Sequence, residues 1–220
     1  MVTPAAGGRG NIPPGSPPSR GTGRPVCQSL PAGCTLWALR FKGCEWDAGL
    51  RAGVAAVDVW GGLEREIRVM LTEGHIDGHI SYVFEDLLFC GDTLFNAGAG
   101  NCHNGGHPNE LYHTFAEQLS RLPEATRIYP GHDYIANNLR FTLDREPDNA
   151  RAKALLAEVE NQDPADAMVT TLAREKEVNT FFRLTSPTVI ARLREAFPDL
   201  PEQPSPKEVF LKLRELRNSW

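Results

Sequence analysis

No histidine occurs in residues 1–66, although six occur later in this 220-residue chain, and no acidic residue precedes Glu45. The five cysteines (Cys27, Cys34, Cys44, Cys90 and Cys102) form no Cys-x-x-Cys pair. With no secretory apolar segment near the start, this odd set reads as free, buried thiols in a reducing cytoplasm rather than a disulfide scaffold. No apolar run approaches the roughly 18 residues of a membrane span. The longest, Gly53 to Trp60, is broken by Asp58. Positive charge is not in excess, since the formal net charge is −5, so a non-specific nucleic-acid binder is excluded along with an integral membrane protein. A cytoplasmic protein acting on a small molecule is the expectation that remains.

What is present is unevenly spread. Residues 1–65 hold seven Lys/Arg against four Asp/Glu, a net +3, which leaves −8 for residues 66–220 of the total −5. Residues 1–25 contain six Gly and six Pro, too many for the amphipathic helix of a transit peptide. Residues 1–35 cannot bury enough apolar surface to offset ordering entropy. Residues 36–62 carry Trp37, Trp46 and Trp60 without a clean period, which allows a strand or two. The whole of 1–62 is therefore assigned to an atypical Gly/Pro-rich leader, largely disordered.

From Leu63 the pattern sharpens. Glu66 to Leu71 alternates polar and apolar as a half-buried strand does. His79–Phe84 and Leu87–Cys90 are short β-rich runs, with Glu85-Asp86 as a tight turn between them. Pro108 to Leu122 has helical spacing through Leu111, Phe115 and Leu119. Arg127-Ile128-Tyr129 is another short strand, closed by Pro130-Gly131. The remainder is helical. Asn149–Asn161 carries one apolar stripe, Ser186-Pro187 opens a second helix, and Ser205-Pro206-Lys207-Glu208 is a capping box opening a third. Asp144-Arg145-Glu146 and Arg192–Glu195 read as helix-face pairs, and Glu175-Lys176-Glu177 as a solvated charge run.

All six histidines (His75, His79, His103, His107, His113 and His132) fall within 58 residues. Gly74-His75, Gly91-Asp92 and Gly131-His132 are three turn-like sites directly after strands, where imidazole and carboxylate project from a rigid sheet edge and can converge on a metal. Two His and one carboxylate suit Zn, Fe or Mn. Cys102 beside His103 is a poor nucleophile pair, because adjacent residues rarely face each other. His113 is expected on a helix surface.

The blocks Thr72-Glu73-Gly74-His75-Ile76-Asp77-Gly78-His79, Gly91-Asp92-Thr93-Leu94-Phe95 and Tyr129-Pro130-Gly131-His132-Asp133-Tyr134 resemble glyoxalase II, the hydroxyacylglutathione hydrolases of the metallo-β-lactamase superfamily. Leu172 to Arg183 is similar to the C-terminal domain of that family. The resemblance implies an α/β fold: the C-terminal part of a metallo-β-lactamase αββα sandwich over 63–135, followed by an all-helical domain over 136–220. It implies thioester hydrolysis, S-lactoylglutathione giving lactate and glutathione, in which a two-metal centre activates a hydroxide. By the same resemblance His75 ligates one metal, Asp92 bridges and is catalytic, and His132 ligates the other. Tyr134 holds glutathione, Asn101 and His103 stand where the family contacts it, and His79 supports the ligands from behind.

The chain departs from the pattern upstream. The family's His-x-His-x-Asp-His motif belongs before residue 67, where no histidine is found. Of seven ligands the resemblance calls for, His75, Asp92 and His132 are present. The expectation is one bound ion at most, with weak or absent hydrolysis, and a sheet face left as an exposed apolar patch. Two other readings stand beside it: an iron-dependent persulfide dioxygenase, and a non-catalytic module that binds a partner or an acylated thiol.

Overall fold

The computed structural model describes the backbone of residues 40–47, 52–59, 63–163 and 167–220, with side chains described from residue 66 onward. The expectation of a disordered leader over 1–35, and the side chains of Cys27, Cys34, Cys44, Trp37, Trp46 and Trp60, lie outside the described residues.

Seven strands form one sheet in the order β1(Arg40–Asp47), β2(Ala52–Val59), β3(Leu63–Leu71), β4(Ile80–Phe84), β5(Leu87–Gly91), β8(Arg127–Pro130), β9(Thr170–Thr171). Every neighbouring pair is antiparallel except β5 and β8, which run parallel. A parallel pair needs a crossover. Here the connection contains the small hairpin β6(Leu94–Phe95)–β7(Gly98–Ala99) and the helix α1(Pro108–His113). α1 continues through a π-turn at Thr114–Gln118 and a 3₁₀ turn at Leu119–Arg121, so the helix expected to Leu122 exists with its hydrogen-bond period shifted midway.

Strands β1 and β2 fall inside the span 1–62 that composition assigns to a leader. They lie in the stretch 36–62, where the sequence allows a strand or two. β2 pairs with β3 (Ala52 opposite Met70, Val59 opposite Leu63) and β1 pairs in turn with β2, a meander of sequence-adjacent antiparallel strands.

The sheet alternates as its sequence requires. Met70, Leu88, Cys90 and Ile128 are fully buried on one face and join Leu111, Phe115, Phe181 and Phe210 in the main core. On the other face Ile80 and Phe89 are 40% and 44% exposed, and Phe89 stacks on Tyr129 with ring centroids 5.3 Å apart. The hairpin turn is Glu85-Asp86 as expected, with Glu85 at φ 53°.

After β8 come α2(Ile135–Arg145), α3(Ala150–Glu160), β9, α4(Leu172–Val178), α5(Pro187–Ala196) and α6(Pro206–Arg217). Each start has a chemical reason. The Asn149 side chain accepts from the Ala152 N–H, Thr171 accepts from Arg174, and Ser205 with Glu208 closes a full capping box. Two of the expected surface charges are inside instead. Glu175 is 0% exposed, and Glu146 is buried against Arg183 at 2.6 and 2.8 Å, because each meets donors contributed by distant segments.

Candidate metal and substrate site

The register places three turns at one end of the sheet. β3, β5 and β8 point the same way, since β3 and β5 each pair antiparallel with β4 and β8 pairs parallel with β5. His75 follows β3, Asp92 follows β5 and His132 follows β8, so strand direction alone delivers the three side chains to a common edge.

There His75 Nε2 lies 3.8 Å and His132 Nε2 3.4 Å from the same oxygen, Asp92 Oδ2. The His75 ring contacts the Asn101 carbonyl through Nδ1 at 2.7 Å. A carbonyl only accepts, so Nδ1 carries the proton and the Nε2 lone pair is left facing Asp92. Close approach of backbone makes this possible. A Cβ at Gly131 would strike Asp92 Oδ1, and one at Gly100 would strike the Asp92 carbonyl.

Two ligands about 2.0–2.1 Å from a tetrahedral ion stand roughly 3.3 Å apart. The His132–Asp92 separation is close to that value and the His75–Asp92 separation is wider, and the donor set is the nitrogen and oxygen chemistry that divalent zinc, iron or manganese accepts. The residues therefore fit a metal as two pairs sharing Asp92. Among the described residues no three His, Cys, Asp or Glu side chains close around a single point.

The other histidines divide by environment. His79 sits behind the site, its Nδ1 3.0 Å from both Thr72 Oγ1 and Thr93 Oγ1. Burial, and then the neighbouring His75, lower its pKa, so it stays uncharged more readily than an exposed imidazole. His113 pairs with Glu117 on the helix surface at 3.1 Å, and His107 reaches Asp77 at 3.6 Å with both side chains exposed. Burial raises the pKa of the Cys102 thiol, which opposes a nucleophilic role.

Next to the three donors opens a cavity of about 210 Å³ lined by Phe95, Ala99, Asn101, His103, Tyr134, Asn138, Arg214, Arg217 and Asn218. Tyr134 is half exposed, stacks on His132 at 5.5 Å and meets Phe95 edge-on at 5.1 Å. Asn101, His103 and Tyr134, three positions picked out in the sequence, thus share one wall. Arg214 and Arg217 were not picked out. They stand one helical turn apart on α6, some 80 residues beyond Tyr134, where a basic pair reads as an ordinary helix face. Arg214 is 3% exposed, donates to the carbonyls of Ala99 and Gly100 at 2.9 Å each, and its Nε has no partner among the described residues. Burial pulls its pKa down to about 10, still cationic near neutrality.

A mixed sheet carrying a His–Asp–His cluster at its strand ends defines a protein of the metallo-β-lactamase superfamily, and the superfamily model matches residues 37–132. The model for the hydroxyacylglutathione hydrolase C-terminus matches residues 133–220. The chain is 63% identical over 177 residues to hydroxyacylglutathione hydrolases of Nitrosococcus oceani and of Polaromonas sp.. Each alignment takes in 79% of this chain and covers 66% and 67% of those proteins. The chain belongs to the hydroxyacylglutathione hydrolase family. It spans about two thirds of the length of these relatives. Among solved structures, ETHE1 from Myxococcus xanthus is similar at 24% identity and a TM-score of 0.43, covering 71% of this chain and 48% of that one. No helix among the described residues is long and apolar enough to cross a membrane.

Proposed function

We propose that this chain carries the metal-binding and thiol-carrier side of a thioester hydrolase acting on hydroxyacyl derivatives of glutathione. The observation that supports it is the placement of His75 Nε2 and His132 Nε2 on one Asp92 oxygen, beside a cavity whose lining residues Tyr134 and Asn101 contact His132 and His75. In this reading Asp92, with His75 on one side and His132 on the other, holds at most one ion through one of the two pairs, zinc in preference to iron or manganese. When bound, that ion supplies Lewis acidity, which makes water a competent nucleophile near neutral pH and polarises a carbonyl.

The chain's own residues do the rest. Asn101 fixes the His75 tautomer through its carbonyl. Gly131, where a Cβ would strike Asp92 Oδ1, lets the carboxylate approach the His132 turn. Tyr134 offers a hydroxyl and a ring face to the carrier peptide. Arg217 and Arg214 give the cavity a cationic end suited to a carboxylate, so a peptide thiol carrier is held by its acid while the acyl group lies toward Asp92.

Protein purified without chelator is analysed for zinc, iron and manganese beside His132→Ala, then assayed with S-lactoylglutathione. A near-stoichiometric ion that falls at least tenfold in the variant, with any thioester turnover falling in parallel, is the expected result. Chains without metal in both preparations would overturn the hydrolase reading.

A further inference from the structure

Glu175 on α4 is completely buried, and every group around its carboxyl can be accounted for. Glu175 Oε2 accepts from the Ala97 N–H at 2.9 Å and from Asn179 Nδ2 at 2.8 Å, and the same Ala97 N–H reaches Oε1 more distantly at 3.1 Å. Glu175 Oε1 lies 2.6 Å from Thr170 Oγ1, which in turn lies 3.1 Å from Asn96 Oδ1. The orientation of Asn96 is fixed, because its Nδ2 donates to the Met168 carbonyl at 2.7 Å. Asn96 Oδ1 can therefore only accept.

The Thr170 hydroxyl has one proton and two neighbours. Were Glu175 a carboxylate, Thr170 would have to donate to it, and the buried Asn96 Oδ1 would face a bare lone pair. With a proton on Glu175 Oε1 the chain runs without a gap, from Glu175 to Thr170 and from Thr170 to Asn96. No Lys, Arg or His is among the bonding partners described for the carboxyl, and the buried Cys90 thiol is a titratable group that its charge would act on.

The network grips one turn. Ala97 sits at φ 58°, a left-handed conformation for a residue with a side chain, and is held there by Glu175. Asn138 Nδ2 donates to the Asn96 carbonyl at 3.0 Å and Asn179 Nδ2 to the Gly98 carbonyl at 3.1 Å. This turn joins Asp92 to Asn101, whose carbonyl sets the His75 ring.

We infer that Glu175 is held as a neutral carboxylic acid and is the positioning residue that locks the Asn96–Gly98 turn, and through it Asp92 and Asn101, onto the helical region. The protonation rests on hydrogen-bond accounting alone, whereas the consequence for the metal site rests on the hydrolase reading. Burial raises the carboxyl pKa to about 7, in keeping with a proton retained well above the ordinary range.

Three variants test it: Glu175→Gln, Glu175→Ala and Thr170→Val. Glutamine reproduces the acid, its amide donating to Thr170 and its carbonyl accepting from Ala97, so Glu175→Gln keeps wild-type zinc affinity within about threefold. The infrared difference between wild type and Glu175→Gln at pH 6 shows a protonated-carboxyl C=O stretch. Between the ordinary carboxyl pKa of 4.5 and about 7, the folded wild type holds a proton the unfolded chain has lost. The wild-type folding constant then falls up to tenfold per pH unit across that window relative to Glu175→Gln.

Glu175→Ala and Thr170→Val, compared at a temperature where circular dichroism shows them folded, bind zinc at least tenfold more weakly. Thr170→Val keeps the test open if Glu175→Ala does not fold. A missing acid band, a flat pH difference, or unchanged zinc affinity in folded Thr170→Val would each overturn the inference. Absence of zinc from wild type would overturn the hydrolase reading and the positioning consequence, leaving the acid band to decide the protonation separately.

Discussion

Glu146 and Glu175 both carry a carboxyl inside, and their partners decide their charge. Glu175 meets neutral donors only. Around Glu146, burial opposes ionisation, yet the Arg183 guanidinium at 2.6 and 2.8 Å, Ser186 at 2.6 Å and Asn149 at 2.8 Å outweigh it and hold the carboxyl below its usual range. Removing the cation strands a charge. Arg183→Met should cost about 3 kcal/mol in chemical denaturation, at the lower end for a buried pair because Arg183 is partly solvated. The sign with pH follows from the lowered folded pKa: the contribution of Glu146 is present above its unfolded value and is lost as pH falls through the folded one. The wild type should therefore lose its advantage over Arg183→Met on acidification below about pH 4.5, and equal acid sensitivity in the two proteins would refute the pairing.

Arg217 belongs to the same scale. It lies over the Phe141 and Trp220 rings at 5.4 and 5.0 Å while lining the cavity. Arg217→Ala should raise KM for S-lactoylglutathione about tenfold with kcat nearly unchanged, since the proposed reading sets it at the carrier end of the cavity and not at the acyl end. A fall confined to kcat would place it elsewhere in the reaction.

At the scale of elements, local chemistry made much of the fold legible. The alternation of β3, the Glu85-Asp86 turn, the stripe of α3 and the Ser205 box each express a short-range preference, and each element stands where its residues put it. Ser205→Ala, which removes the hydroxyl acceptor of the Glu208 N–H and leaves the backbone N–H donating to the Glu208 carboxylate, should cost about 1 kcal/mol in thermal or chemical melting, and a null effect would mean α6 is held by its packing alone. What stayed hidden was decided at a distance. Two-residue β9 exists because Thr170 and Thr171 pair with Ile128 and Arg127, 42 to 44 positions earlier. Glu175 reads as solvent-facing beside Lys176 and Glu177, and only the turn around Ala97 draws it inside. For the candidate site, strand-end glycines singled out His75, Asp92 and His132, which come together at one sheet edge, whereas Arg214 and Arg217 became visible only once α6 lay along the Ala99–Gly100 strand end.

On the scale of the molecule, the sheet and the helices after it are interlocked. The sheet's last strand, β9, comes from among the helices, the Leu172 N–H bonds the Thr126 carbonyl at 2.8 Å, and Arg214 on α6 donates to the carbonyls of Ala99 at the end of β7 and of Gly100 after it. Phe210 of α6 lies 5.3 Å from Phe115, which continues α1, and 5.2 Å from Phe181 in the turn after α4, so one aromatic cluster serves both regions. A boundary near residue 135 divides family models but separates no independent core. Phe210→Ala should cost roughly 3–5 kcal/mol by cavity formation, lowering Tm by on the order of 10 °C for a chain of this length. Because the cluster is shared, that loss should appear equally in amide protection of β5 and β8 and of α5 and α6, as a single cooperative unit requires. Protection lost in the helices but retained in β5 and β8 would show two separable units, and the grip of the Glu175 network on the Asp92 turn would then have to survive without α6.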